Sequence, residues 1–186
     1  MYDDEPTALG AVLTDDRGSL PFLLVHGEAL AAAAAWSLGE AGVTIVDASV
    51  SWDGVREAGA DGEPFVLHDS LCPLTPPDFI AACLDRARET GAVVVGVRPV
   101  TDTLKVVADG LVGATVDRDA MTLVCSPVVL PAPVVAGLAE APSSDLTELV
   151  SALAVDHEVV RVEAPPSAGR VSGPDDVRLL EALDQR

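Results

Sequence analysis

Residues 64–97 read PFVLHDSLCPLTPPDFIAACLDRARETGAVVVGV, and this stretch decides the fold class. Residues 64–68 form an aliphatic strand that stops at Asp69. Pro76 and Pro77 then open a helix over about 78–89, because proline suits the first helical turn, where its missing N–H is not needed. Phe79, Ile80, Cys83, Leu84 and Ala87 recur at helical spacing, so they line one face. Gly91 closes the helix, and 92–97 is a Val-rich strand flanked by glycine. Uninterrupted aliphatic strands around a helix point to a parallel sheet buried on both faces.

Working outward, strands are expected at 9–13, 43–46, 123–129 and 159–162. Helices are expected at about 29–39, 52–58, 134–138, 146–155 and 174–183. Ser143, Ser144 and Asp145 are N-cap candidates for the fifth of these six helices, counting 78–89. Pro21 makes 20–25 a loop or an irregular edge, and 102–116 reads as extended. The alternation gives an α/β fold: a mostly parallel sheet with helices on both faces. Ligands in such sheets sit at the carboxyl ends of the strands. The end of the first strand and Asp69 are therefore the places to look.

Composition sets the outer limits. The 186 residues are expected to form one domain, 1–186. Hydrophobic residues are 49% and aromatics 3%, so the core must be built from Val, Leu, Ile and Ala. The net charge of -19 repels polyanions, which excludes nucleic acid and anionic membranes as favoured partners. The plain reading of the scattered acidic residues is solubility. Three cysteines, Cys72, Cys83 and Cys125, have no paired spacing and suggest reduced thiols in a cytoplasm. The acidic start, Met1-Tyr2-Asp3-Asp4-Glu5, does not read as a signal peptide. His26, His68 and His157 lack metal-ligand spacing and read as surface or satisfied core histidines. No Ser-His-Asp or Cys-His grouping is supported by spacing.

Four local segments then point further. Val66-Leu67-His68-Asp69-Ser70-Leu71-Cys72-Pro73 resembles V-H-D-x-x-R-P, and Pro99-Val100-Thr101-Asp102-Thr103-Leu104-Lys105 resembles P-V-x-D-T-x-K. Thr115-Val116-Asp117-Arg118 resembles T-V-x-R, and residues 169–177 resemble N-I-K-x-T-x-P-E-D-L. In this order they resemble the 2-C-methyl-D-erythritol 4-phosphate cytidylyltransferase family of isoprenoid precursor synthesis. The resemblance implies a Rossmann-like nucleotidyltransferase fold. It also implies a homodimer whose arm, about 102–124, reaches into the partner's site. It implies transfer of a cytidylyl group from CTP to a sugar-alcohol phosphate, with Mg²⁺. By position it assigns metal binding to Asp69 and substrate binding to Thr103, Lys105, Arg118 and, one place early, Arg170. Arg17 stands for the arginine of the family's Gly-rich loop.

The chain also departs from that pattern. Nucleotidyl transfer depends on cations and N–H groups that neutralise developing charge. The loop Thr14-Asp15-Asp16-Arg17-Gly18 lacks G-x-G and carries two carboxylates where phosphates would approach. Phe22 replaces a lysine, Cys72 an arginine, and Ser126-Pro127-Val128 the T-P-Q element. Residues 47–52 replace the segment that holds the base. The expectation is a degenerate cytidylyltransferase homologue, weak or inactive, acting as a structural or regulatory dimer able to hold a small phosphorylated ligand. The alternative is an active Mg²⁺-dependent nucleotidyltransferase of altered specificity. Each retained residue has an ordinary reading too: Asp69 as a turn or cap residue, Lys105 and Arg118 as partners of surface carboxylates, Thr103 as a strand residue.

Overall fold

The computed structural model describes residues 8–47, 49–100, 105–108, 110–115 and 121–184. Strand β1 (Ala8–Leu13) leads through the 14–18 loop and a 3₁₀ turn (Leu20–Phe22) into the short strands β2 (Leu24–Val25) and β3 (Glu28–Ala29). Helix α1 (Leu30–Glu40), β4 (Val43–Ile45), α2 (Trp52–Ala60), β5 (Phe65–Asp69), α3 (Pro77–Thr90) and β6 (Val93–Pro99) come next. Then come β7 (Lys105–Ala108), β8 (Leu111–Thr115), β9 (Thr122–Leu130), α4 (Ala132–Gly137), α5 (Leu146–Leu153), β10 (Val159–Glu163) and α6 (Pro174–Asp184).

The main sheet has the order β10-β6-β9-β5-β1-β4. β10 and β6 run parallel, as do β5, β1 and β4, while β9 is antiparallel to both β5 and β6. This is the mostly parallel α/β sheet expected, with one reversed strand at its centre. The pleat sends alternate residues to opposite faces. Phe65 and Leu67 of β5, with Val93, Val95 and Val97 of β6, pack with residues of α2, α4 and α5. Val66 and Val94 pack on the other face with Ile80, Cys83, Leu84 and Ala87 of α3 and Leu38 of α1. The apolar stripe read from spacing is thus the buried stripe of α3. All three cysteines are buried free thiols.

Two local features refine the sequence expectation. The 20–25 segment is not simply a loop: it ends in a hairpin with Val25 opposite Glu28. His26 and Gly27 both have positive φ, 48° and 86°, which is the requirement of a tight primed turn. The extended 102–116 segment contains a second hairpin, with Ala108 opposite Leu111.

Gly96 shapes the ligand end of the sheet. The β6–β9 register shifts between Val95 and Val97, and a Cβ at 96 would lie 2.9 Å from the Ser126 carbonyl oxygen. Only glycine lets the two backbones approach there, which brings Ser126 beside the end of β5. The Ser126-Pro127 peptide is cis. A satellite core of Val25, Leu30, Leu71, Val171, Val177 and Leu180 ties α6 and the first hairpin to the segment after β5. No helix of the described residues is long and apolar enough to cross a membrane.

Candidate functional site

Parallel β1 and β5 end together, with Leu13 paired to Asp69. The chain leaves β1 into the acidic loop, and Ser70 N–H still donates to Leu13 O at 3.1 Å. Arg17 is thereby carried over the end of β5. Its Nε–H donates to Asp69 Oδ1 at 2.7 Å, with both side chains almost fully buried. The rest of the guanidinium is also engaged, with Nη1 on Asp15 O and Nη2 on Ser144 O at 3.1 Å. Ser144 in turn donates from Oγ to Asp16 Oδ2 at 3.3 Å.

A second arginine arrives from the far end of the chain. Val171 is fully buried, and its N–H donates to Leu71 O at 2.7 Å. That contact sets the adjacent Arg170 beside Asp69, where its Nε–H meets Oδ2 at 3.2 Å. The Arg170 side chain remains 47% exposed. Leu71 N–H adds a further bond to Asp69 Oδ1 at 2.9 Å. Burial alone would push the Asp69 carboxyl up. The Arg17 hydrogen bond, the Leu71 N–H and the charges of Arg17 and Arg170 outweigh it and hold the group below its ordinary value. Asp69 is therefore an anion clamped between two guanidiniums.

The neighbouring His68 is treated differently. It is fully buried, its Nδ1 contacts Ser126 Oγ, and its Nε2 has no hydrogen-bond partner among the described residues. Ser126 Oγ also accepts from Asp69 N–H at 2.8 Å. The hydroxyl proton is then available to donate to Nδ1, which leaves the imidazole proton on Nε2. Burial lowers the His68 pKa to about 4 against a smaller opposing effect of the Asp69 charge, so the ring is neutral near pH 7. His68 is a core histidine as expected, but only half satisfied. His26 and His157 are exposed.

Arg17, Asp69 and Arg170 line one cleft of about 500 Å³ at the carboxyl end of the sheet. Its lining also includes Asp16, and Asp145 at the start of α5, where Asp145 Oδ1 caps the helix by accepting from Thr147 N–H and Glu148 N–H. Leu123, Val124 and Leu146 supply apolar surface. Cys72 and Cys125 also lie on the wall, and burial raises both thiols, so they are neutral and unreactive. Phe22 lies outside the cleft and is 73% exposed.

Of the residues singled out in the sequence, Arg17, Asp69 and Arg170 converge. Lys105 begins β7, and Thr103 and Arg118 lie outside the described residues. Sequence reasoning did not find the parts played by Ser126 and the Ser144 carbonyl. Ser126 was visible only as a substitution in T-P-Q, and Ser144 only as a cap candidate. Trp52, in the segment that replaces the base-binding element, is used for packing. Its Nε1–H donates to Leu138 O at 3.0 Å, and its ring stands edge-on to Phe65 at 5.6 Å.

Mg²⁺ takes oxygen ligands, chiefly carboxylates, phosphates and water. Asp69 Oδ1 accepts two N–H groups and Oδ2 a third, so one of the carboxylate's roughly four acceptor positions, on Oδ2, stays open. No three His, Cys, Asp or Glu side chains converge into a metal cage among the described residues. Asp69 alone makes no cage, and a divalent cation on its Oδ2 would need phosphate or water oxygens to complete its shell.

A family model described as 2-C-methyl-D-erythritol 4-phosphate cytidylyltransferase matches residues 48–183. The match begins only after β1, the acidic loop and α1, the region that departs from the motif pattern. The enzyme of that name from Nocardia farcinica is 34% identical over 148 residues, 76% of this chain and 64% of that protein. The one from Syntrophotalea carbinolica is 44% identical over 59 residues, 32% of this chain and 25% of that protein. The chain thus spans less than two thirds of either relative. The crystal structure of the Thermus thermophilus enzyme superposes with a TM-score of 0.65 at 23% identity, covering 95% of this chain and 98% of that one. This shows the fold to be the Rossmann-like one implied by the motifs. The chain belongs to the 2-C-methyl-D-erythritol 4-phosphate cytidylyltransferase family.

Proposed function

We propose that this chain is a degenerate member of its family, weak or inactive as a cytidylyltransferase, that acts in the cytoplasm as a structural or regulatory homodimer. It would form a single unit over residues 1–186, with an arm at about 102–124. One observation carries the reading: the arginine of the phosphate loop and the aspartate of the metal position neutralise each other, Arg17 Nε to Asp69 Oδ1 at 2.7 Å. A guanidinium with its Nε and both terminal nitrogens engaged has little left for a triphosphate. Asp15 and Asp16 add repulsion at the same place, and Phe22 brings no compensating charge. The reading is tested by pyrophosphate release from CTP and methylerythritol phosphate with Mg²⁺, run beside an active relative. Release below about one thousandth of the relative's rate is expected; turnover in the ordinary range of about 1–1,000 s⁻¹ removes the proposal. Light scattering checks the dimer, and a monomer at micromolar concentration counts against it.

A second reading, an active Mg²⁺-dependent nucleotidyltransferase of altered specificity, draws on the openness of the cleft, since Phe22 does not fill it. Asp69, Arg17, Lys105 and Arg118 would be its minimum charge set. Calorimetry with each nucleoside triphosphate and Mg²⁺ separates the two: heat with any of them favours the second.

A further inference from the structure

We propose that the outer edge of β10 is a contact surface for a second copy of this chain, the two β10 strands pairing antiparallel with Arg161 of each opposite Glu163 of the other. The main sheet ends at β10, which has β6 as its one strand neighbour among the described residues. Glu158 O accepts from Val93 N–H at 2.9 Å, and Ala164 N–H donates to Val97 O at 2.8 Å. Backbone direction alternates along a strand, so the even-numbered residues turn their N–H and C=O groups to β6. Val159, Arg161 and Glu163 turn theirs outward, where they have no backbone partner among the described residues. Such a row is a template for another strand.

Charge selects the register. An antiparallel partner must set outward residues opposite outward residues. With Arg161 facing itself, like charges would meet. With Val162 on the twofold axis, Arg161 of each copy lies opposite Glu163 of the other, and each pair exchanges both N–H···O bonds. Arg161 and Glu163 are exposed and have no salt-bridge partner among the described residues, so both are free for this pairing. On the other face, the half-buried Val160 and Val162 line a groove of about 390 Å³ with Ala82 and Arg86 of α3. In this register Val162 meets its own copy and Val160 meets Ala164, which makes a continuous apolar row. Two copies of charge -19 repel at long range, but the groove carries Arg86 and Arg161 against Glu163, which offsets that locally. Edge charges ordinarily keep strands apart; here they exclude one register and favour another. The contact is separate from the arm at about 102–124 and does not depend on whether the chain turns over CTP.

Light scattering of the full chain over a concentration series tests this, beside Arg161→Glu, Glu163→Arg and the double exchange. Each single variant sets like charges opposite one another at both positions, so the dissociation constant of the edge contact is expected to rise about tenfold or more. The double exchange restores opposite charges and should recover the wild-type constant within about threefold. The two single variants, mixed, should associate, because the like charges of each meet opposites on the other. Thermal unfolding of each protein controls for folding. An arm dimer multiplies every mass alike, so the comparison holds with or without it. Val162→Cys gives an independent reading: its Cα atoms would face each other at about 4.5 Å, within disulfide reach, so oxidised glutathione should cross-link two copies. The native thiols are buried, and the wild type should stay uncross-linked. The proposal is overturned by masses that the single variants leave unchanged, by a double exchange as dissociated as the singles, by single variants that do not associate when mixed, or by a Val162→Cys protein that does not cross-link. Pyrophosphate release from CTP would remove the degenerate-enzyme reading and leave this contact standing.

Discussion

His68 and Asp69 are adjacent in β5, and the protein settles their polarity in opposite ways. On one side the imidazole is fully buried and gives up its charge: its pKa falls to about 4, and a serine hydroxyl is its one partner among the described residues. On the other side the carboxylate keeps its charge, because two arginines and a backbone N–H surround it. Burial disfavours the charged form in both cases. The difference lies in what the surrounding loops bring. The β1 loop and the 170 segment deliver guanidiniums to Asp69, whereas the β9 approach at Gly96 delivers only Ser126 to His68. A site able to hold an anionic ligand can arise only on the side where cations were delivered.

The largest effect should come from breaking the Asp69 side. Arg17 and Asp69 are 6% and 5% exposed, so removing one partner strands a buried charge. Arg17→Met is expected to lose about 3–5 kcal/mol of unfolding free energy, read from denaturant midpoints. Asp69 would retain the half-exposed Arg170 as its one cation among the described residues, with the Leu71 N–H. A loss under about 1 kcal/mol would mean that water reaches Asp69 and that the clamp is not buried in solution.

The two neighbours should also separate by pH. His68 binds a proton at about 4 when folded and near 6.5 when unfolded, so the unfolded state holds more protons between those values. Stability therefore rises with pH across that window and is lost as pH falls from 6.5 towards 4. The change is on the order of 3 kcal/mol. Asp69 has the depressed carboxylate pattern: its contribution is present above its unfolded value of 3.8 and lost only as pH falls below it. His68→Asn should flatten the stability profile between pH 6.5 and 4 and leave the steeper acid limb in place. A variant profile that superposes on the wild type would show that His68 takes up its proton over the same pH range in the folded and unfolded states.

Ser126 joins the two sides, since its hydroxyl contacts His68 Nδ1 and accepts from Asp69 N–H. Ser126→Ala leaves both groups buried without that partner. The expected cost is about 1–3 kcal/mol, measured by thermal or denaturant unfolding. It should fall below the Arg17 effect, because neutral hydrogen bonds are lost rather than a charge pair.

The elements of this fold could be read locally, but the clamp could not. Aliphatic runs, Pro-Pro at 76–77 and Gly91 marked β5, α3 and β6 to within about two residues, because those signals act over a turn or a strand. The reversed direction of β9 carries no such mark: Val128, Val129 and Leu130 are as aliphatic as any parallel strand, and only pairing partners reveal the orientation. Arg17 and Arg170 lie 52 and 101 positions from Asp69. The motif pattern named all three residues, yet it assigned them to a nucleotide and a metal rather than to one another. Their mutual pairing depends on the lengths of two loops and on the Val171–Leu71 contact, which no periodicity encodes.

The smallest effect should come from Phe22, and it tests the comparison from outside. Phe22 is 73% exposed and packs no wall of the cleft, so Phe22→Lys is expected to change stability by less than about 0.5 kcal/mol. It restores the charge type that the family carries at this point. If one missing lysine were the reason for weak nucleotide binding, calorimetry with CTP would gain heat in the variant. Gain is not expected, because Asp16 still lines the cleft and Arg17 is still held by Asp69. Phe22→Lys with both loop aspartates changed to asparagine removes the repulsion but not the clamp. CTP heat in the triple variant alone would place the obstacle in the acidic loop; continued silence would place it in the Arg17–Asp69 pair, the interaction that separates the two sides of β5.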